Sequence, residues 1–227
     1  MNKLTRLLDL IYPRTCAACR KPLGEVDTPI CINCIIDLPV IINDTVQQRK
    51  IIQKFDGKVN INDAKSYLLF EKGNVAQHLI HGLKYQNKKS IGIWLGKKFG
   101  EALLNAEEKD KIDLIVPIPM HEAKQKQRGY NQTELIAEGM ASVLNVPIIN
   151  NGLIKIANTS SQTKKDRYQR YKNTNEIFQV NTKADLRGKR VCLVDDVLTT
   201  GATLEAAAIA LIEYDCEVSV KTIASAF

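Results

Sequence analysis

Val191-Cys-Leu-Val-Asp-Asp-Val-Leu-Thr-Thr-Gly-Ala-Thr203 runs from four apolar residues through two adjacent carboxylates into a small, hydroxyl-rich turn. Val191 to Val194 read as a buried parallel strand. Leu204, Ala207, Ala208, Leu211 and Ile212 then follow at the i, i+3, i+4, i+7, i+8 spacing of an amphipathic helix. The turn between them is therefore a strand-to-helix crossover. Unpaired backbone amides and the positive helix end face an incoming anion there, and Thr199, Thr200 and Thr203 add hydroxyl donors. Gly201 lets the backbone come close. Asp195 and Asp196, at the strand's carboxyl end, are placed to accept from the two cis hydroxyls of a ribose whose 5′-phosphate sits in the loop.

This stretch resembles the phosphoribosyl pyrophosphate (PRPP) motif of type I phosphoribosyltransferases. A Walker loop differs, because it needs a Lys after its second Gly and carries no acidic pair before the loop. The competing reading is a buried strand whose acids cap the next helix. Against it, two side-by-side carboxylates are costly unless a sugar, metal or cation meets them.

Near the amino end, Cys16-Ala-Ala-Cys19 and Cys31-Ile-Asn-Cys34 form two Cys-x-x-Cys knuckles. Four thiolates so spaced can close a tetrahedron around a structural Zn²⁺, with Pro22, Gly24 and Pro29 supplying bends. A redox dithiol or two disulfides are the alternatives, but redox motifs rarely come in tandem and nothing else suggests an oxidising compartment. Cys192 in the apolar strand and Cys216 beyond the helix read as buried thiols outside this set.

The chain has 227 residues, 25% charged and 44% hydrophobic. That suffices for one α/β domain with a full core plus a small metal-stapled module too short to fold on burial alone. We expect the module and its connector over residues 1–60 and the α/β domain over 61–227. No apolar run reaches the roughly 20 residues that cross a membrane. Leu4, Leu7, Leu8 and Ile11 make a helical stripe, but Arg6 and Asp9 interrupt it and no small-residue cleavage site follows. The expectation is a cytoplasmic protein without membrane insertion.

The excess of positive charge is uneven. From Lys155 to Arg190 there are ten basic and three acidic residues, so this segment carries the whole chain's net +7. Lys164, Lys165, Arg167 and Arg170 interleave there with Tyr168 and Tyr171, a pattern on which single-stranded nucleic acid can neutralise its phosphates and stack its bases. Charge alone serves equally well for a solvated surface or a cationic lid over a pyrophosphate.

Between these landmarks, a polar helix-compatible connector runs from Ile42 through Lys54 and a strand from Lys65 to Phe70. A helix starts at Gly73-Asn74 with Val75, Leu79, Ile80 and Leu83 on one face. Another, capped by Ser90, runs to about Asn105. Leu114 to Val116 is a strand, Asn131 to Leu144 a helix, and Glu217 to Ala224 a final strand. Alternating strands and helices imply a mainly parallel, doubly wound sheet. Val116-Pro117-Ile118-Pro119-Met120-His121 leaves a strand, and Arg128-Gly129-Tyr130-Asn131-Gln132 opens the next helix. In a phosphoribosyltransferase the loop at this place binds pyrophosphate, often through a strained or cis peptide, with Arg128 suited to a bidentate phosphate contact. The plain alternative is that the prolines end the strand and Asn131 caps the helix. His78, His81 and His121 show no ligand spacing.

In order, the two cysteine knuckles, Leu83-Lys84-Tyr85, Asp113 to His121, Arg128 to Gln132, Thr159-x-x-Gln162, Arg170-x-x-Asn173 and Val194 to Thr203 resemble the ComF family over nearly the whole chain. Lys155 stands where that family usually has Arg, and Tyr130 where Phe is commoner. The resemblance implies a type I phosphoribosyltransferase-like domain, a mainly parallel sheet flanked by helices, behind a small zinc-binding module. It implies PRPP contacts at Asp195, Asp196, Val197, Leu198, Thr199, Thr200, Gly201, Ala202, Thr203, Pro117, Ile118 and Pro119, with Mg²⁺ accompanying PRPP. It also implies a role in natural transformation, where single-stranded DNA enters the cytoplasm. Three functions follow as expectations. One is a PRPP-binding protein that handles single-stranded DNA through the 155–190 arm. Another is an active transferase on a nucleobase or amine, with Asp195, Asp196, Arg128 and Lys164 catalytic. The third is a structural adaptor for a competence helicase.

Overall fold

The structure, a computed structural model, describes residues 14–24, 26–106, 111–156 and 177–227. Their helices are α1 (Ile32–Ile36), α2 (Thr45–Gln53), α3 (Val75–Tyr85), α4 (Lys89–Asn105), α5 (Glu122–Arg128), α6 (Gln132–Leu144) and α7 (Ala202–Glu213). The strands are β1 (Asp63–Leu69), β2 (Leu114–Pro117), β3 (Leu153–Ile156), β4 (Ile177–Val180), β5 (Arg190–Leu198) and β6 (Glu217–Ser225). The main sheet has the order β1-β6-β5-β2 and is parallel throughout, while β3 and β4 form a separate antiparallel pair.

Strand alternation explains why the sheet is covered on both sides. Cys192, Val194 and Ile115 join a core with α3, α4 and α6, whereas Val191, Leu193, Leu114 and Val116 join a second core with α2 and α7. The cysteine segment packs into the first core, where Cys16, Ala17, Ala18, Ile30 and Cys34 are buried beside the α3–α4 layer. Helices α4 and α6 touch backbone to backbone. A Cβ on Gly139 would lie 2.2 Å from the Ile93 carbonyl oxygen, and one on Gly96 would lie 2.1 Å from that of Ile136.

Several boundaries differ from the sequence expectation. Strand β5 continues through Asp195 and Asp196 to Leu198, because β6 offers partners as far as Ser225, so the acids lie within the strand rather than at its end. Lys88, not Ser90, occupies the amino cap of α4, with no side-chain bond to the helix. The connector holds α2, whose amino end is capped by Asp44 through the amides of Val46 and Gln47. Helix α5 and the β3–β4 pair were not anticipated. The stripe at Leu4–Ile11, and Lys164, Lys165, Arg167, Tyr168, Arg170 and Tyr171, lie outside the described residues. No described helix is long and apolar enough to cross a membrane.

Candidate functional site

The turn after β5 meets the requirement for anion binding through its backbone. Gly201 caps α7 with φ 87°, a left-handed conformation that favours glycine, and no side chain bonds the helix's first amides from that cap. Thr199 and Thr200 are exposed, and the Thr200 hydroxyl accepts from the Ala202 amide at 3.4 Å. Lys54, at the carboxyl cap of α2, reaches in from the connector. Its Nζ donates to the Thr199 carbonyl and, at 2.7 Å, to the Ala226 carbonyl, with the Phe227 ring 5.2 Å away. Burial, with Lys58 nearby, lowers its pKa.

The two acids differ in surroundings. Asp195 is partly exposed and accepts from the Asp196 amide at 2.8 Å. Asp196 is buried and has both oxygens engaged: Oδ1 lies 2.9 Å from Lys84 Nζ, and Oδ2 accepts from Gln132 Nε2 at 2.7 Å. The Gln132 carbonyl oxygen in turn accepts from Arg128, whose guanidinium lies 5.7 Å from the Tyr85 ring centre. Lys84 and Gln132 went unrecognised as part of this network at the level of sequence. Both stand within the family-like motifs, but their link to Asp196 is a tertiary contact.

The Pro117-Ile118-Pro119 loop leaves β2, the strand beside β5, and is tied to the start of α6. Thr133 Oγ1 and Asn131 Nδ2 both donate to the Ile118 carbonyl, at 2.7 and 3.1 Å. Asn131 also caps α6 through the Thr133 amide at 3.2 Å, so the capping reading of that residue holds alongside the loop contact. The described peptides include no cis bond. A cavity of about 460 Å³ opens beside the loop, lined in part by Pro119, His121, Asn131 and Glu134. Burial lifts the Glu134 carboxyl above its ordinary value. His121 is accounted for as the cap of α5, its Nδ1 accepting from the Ala123 amide at 3.2 Å.

The four cysteines converge. Their sulfurs lie within 4.8 Å of one another, and Cys19 and Cys31 are 3.7 Å apart. A tetrahedron with Zn–S bonds of ~2.3 Å has S···S edges of about 3.8 Å, so the set fits zinc. The thiols' own chemistry agrees. Burial alone would raise Cys16, but the amides of Cys19, Cys31 and Ala18 bring it down to about 6. Burial and the neighbouring sulfurs push Cys34 well up. A divalent cation is what lets all four ionise together. Burial and Asp215 hold the Cys216 thiol up at about 11, which makes it inert, and its Sγ donates to the Leu186 carbonyl at 3.1 Å.

Residues 133–227 match the phosphoribosyl transferase domain family. The chain is 34% identical over 132 residues to Competence protein F of Haemophilus influenzae, an alignment covering 56% of this chain and 57% of that protein. It is 25% identical over 223 residues to Competence protein ComFC of Bacillus subtilis, covering 96% of this chain and 86% of that one. It is 26% identical over 129 residues to DNA utilization protein YhgH of Escherichia coli, covering 56% of each. The match thus spans little more than half the length of the Haemophilus and Escherichia relatives. With the parallel sheet, these matches define the class: the carboxyl-terminal part is a type I phosphoribosyl transferase domain. Preceded by a cysteine cluster that fits zinc, the chain belongs to the ComF family of competence-related proteins.

Proposed function

We propose that the chain is a PRPP-binding protein that handles incoming single-stranded DNA during natural transformation. The observation that carries the PRPP half is the juxtaposition at the carboxyl edge of β5. An uncapped α7 amino terminus, the Thr199–Thr203 turn and two carboxylates lie one strand away from the Pro117–Pro119 loop. Amides and hydroxyls of the turn receive the 5′-phosphate, the acids serve the ribose edge, and the Pro117–Pro119 loop with Arg128 faces the pyrophosphate. Asp195 with substrate oxygens would hold Mg²⁺, which neutralises charge on the leaving group when bound. We assign the cysteine module and connector to residues 1–60 and the transferase domain to 61–227.

The DNA half rests on the charge and tyrosines of residues 155–190 and on the competence and DNA-utilization names of the relatives. Lys164, Lys165, Arg167 and Arg170 changed together to Ala distinguish a DNA arm from an active-site lid. If the arm holds DNA, affinity for an oligonucleotide falls and its salt dependence flattens, because fewer counterions are released. Tyr168→Ala with Tyr171→Ala then weakens binding at every salt concentration. Unchanged DNA affinity together with weakened PRPP binding would make the arm a lid. Pyrophosphate release measured across nucleobases and single-stranded DNA tests whether any acceptor is ribosylated.

A further inference from the structure

We infer that Lys84 and Arg128, held on one Asp196–Gln132 bridge, form the cation pair that meets the pyrophosphate group, and that Asp196 positions Lys84 instead of binding the ribose. This rests on the PRPP reading above and divides the two acids between separate tasks.

Successive strand residues point to opposite faces, so Asp195 and Asp196 do not look the same way. Asp196 follows Cys192 and Val194 toward the α3–α6 side, whose core those two residues join, and meets Lys84 of α3 and Gln132 of α6 there. Asp195 follows Val191 and Leu193 toward the α7 side, where the phosphate turn begins. A cis-diol presents both hydroxyls on one side, so a pair of carboxylates facing apart does not suit it. The occupancy of Asp196 points the same way. Lys84 and Gln132 already take both its oxygens, and its side chain is only 6% exposed. Recruiting it to a sugar would first break an ion pair shielded from water, where charge pairing is strong.

The cation on that bridge is differently placed. The Lys84 side chain is 24% exposed, four times the exposure of its partner, so the ammonium reaches the solvent side while the carboxylate does not. Arg128 is fixed from the other end through Gln132, and its guanidinium lies over Tyr85, the residue next to Lys84. The bridge starts at Gln132, the first residue of α6, adjacent to Asn131 and Thr133, which hold the Pro117–Pro119 loop by its Ile118 carbonyl. Two cations are therefore fixed in advance next to the loop assigned to pyrophosphate. Neutral threonines and amides at the Thr199–Thr203 turn could not balance so highly charged a group.

The test is titration calorimetry on the full chain with Mg²⁺ and three probes: PRPP, inorganic pyrophosphate and ribose 5-phosphate. Lys84→Met is expected to weaken PRPP and pyrophosphate at least tenfold and leave ribose 5-phosphate within twofold, with Lys84→Arg restoring most of the loss. Asp196→Asn is expected to give the same pattern. Lys84→Met combined with Asp196→Asn should be no weaker than either alone, because the two act as a unit. That combined variant leaves no charge buried without its partner, so it reports even if a single change fails to fold. Weakening of ribose 5-phosphate by Asp196→Asn, or by the combined variant, to the same extent as PRPP returns Asp196 to the ribose and overturns the inference. So does wild-type pyrophosphate affinity in folded Lys84→Met. A wild-type chain that binds none of the three probes overturns the PRPP reading itself, which distinguishes the two failures.

Discussion

Stripping the metal from the cysteine cluster should be felt well beyond the amino-terminal segment, and the chain's single tryptophan is placed to report it. Trp94 on α4 is 9% exposed, and it lines a notch of about 520 Å³ together with Ala17, Leu23 and Pro29 from the cysteine segment. Cys16 and Cys34 share a hydrophobic core with Leu79 and Leu95. Without a cation the buried sulfurs cannot all ionise, so the segment loosens. If about half of a tryptophan's usual buried area, roughly 100 Å², returns to water, the loss at ~25 cal/mol per Å² is about 2.5 kcal/mol. For a chain of this size that lowers the Tm by about 5–10 °C. The assay titrates a chelator while following metal release, Trp94 emission and far-ultraviolet circular dichroism. The expected result is release of about one equivalent of zinc, a red shift of the emission and retained sheet and helix signal. Emission that does not move once the metal has left would refute the coupling. Protein purified under reducing conditions with stable disulfides and no metal would refute the zinc site.

Gly139→Ala should cost on the order of 3 kcal/mol, because its Cβ would sit 2.2 Å from the Ile93 carbonyl oxygen and 2.7 Å from the Lys97 amide, both backbone atoms that cannot swing aside. Urea midpoints measure this against Gly24→Ala, whose Cβ meets nothing within 4 Å and which should be near neutral. Asp113 is held at a pKa of about 2, first by hydrogen bonds from the Arg190 side chain and amide, against an ordinary value of 3.8. A depressed carboxyl contributes stability that is full above its unfolded pKa and lost as pH falls through the folded one. The pair's contribution should therefore disappear between about pH 4 and pH 2, and Asp113→Asn should flatten that part of the acid-unfolding curve. Lys54→Met removes the donor that ties the Thr199 carbonyl to the chain's end. At about 1.4 kcal/mol for a charged hydrogen bond in a partly solvated turn, ribose 5-phosphate binding should weaken about tenfold, as read by calorimetry.

The parts of this protein legible in sequence are those whose signal is local. The β5–α7 crossover was readable because four apolar residues, two acids and a Thr/Gly turn follow one another, and the cysteine knuckles were readable from their spacing. Asn74 capping α3 was likewise a neighbour effect, its side chain accepting from the Gln77 amide at 2.9 Å. Features built from distant residues were not readable. Lys84, Gln132 and Asp196 meet only once three elements pack. Lys54 and Thr199 are 145 residues apart. Gly96 and Gly139 look like ordinary weak helix residues until two backbones are brought into contact. The β3–β4 pair gave no clear alternation, since Ile154 and Ile156 are exposed apolar residues on a four-residue strand. The acids' position inside β5 was set by the length of β6, which the run Val191–Val194 does not encode.

The central claim is that the crossover between β5 and α7 holds PRPP. Calorimetric titration of PRPP with Mg²⁺ into the wild-type chain, and into the chain with Asp195→Asn and Asp196→Asn together, tests it directly. Loss of the charge-assisted contacts made or organised by the two carboxylates should weaken binding by about 2–4 kcal/mol, roughly 30-fold to 1,000-fold. Equal affinity in the two proteins, or no binding by the wild type, would contradict the account.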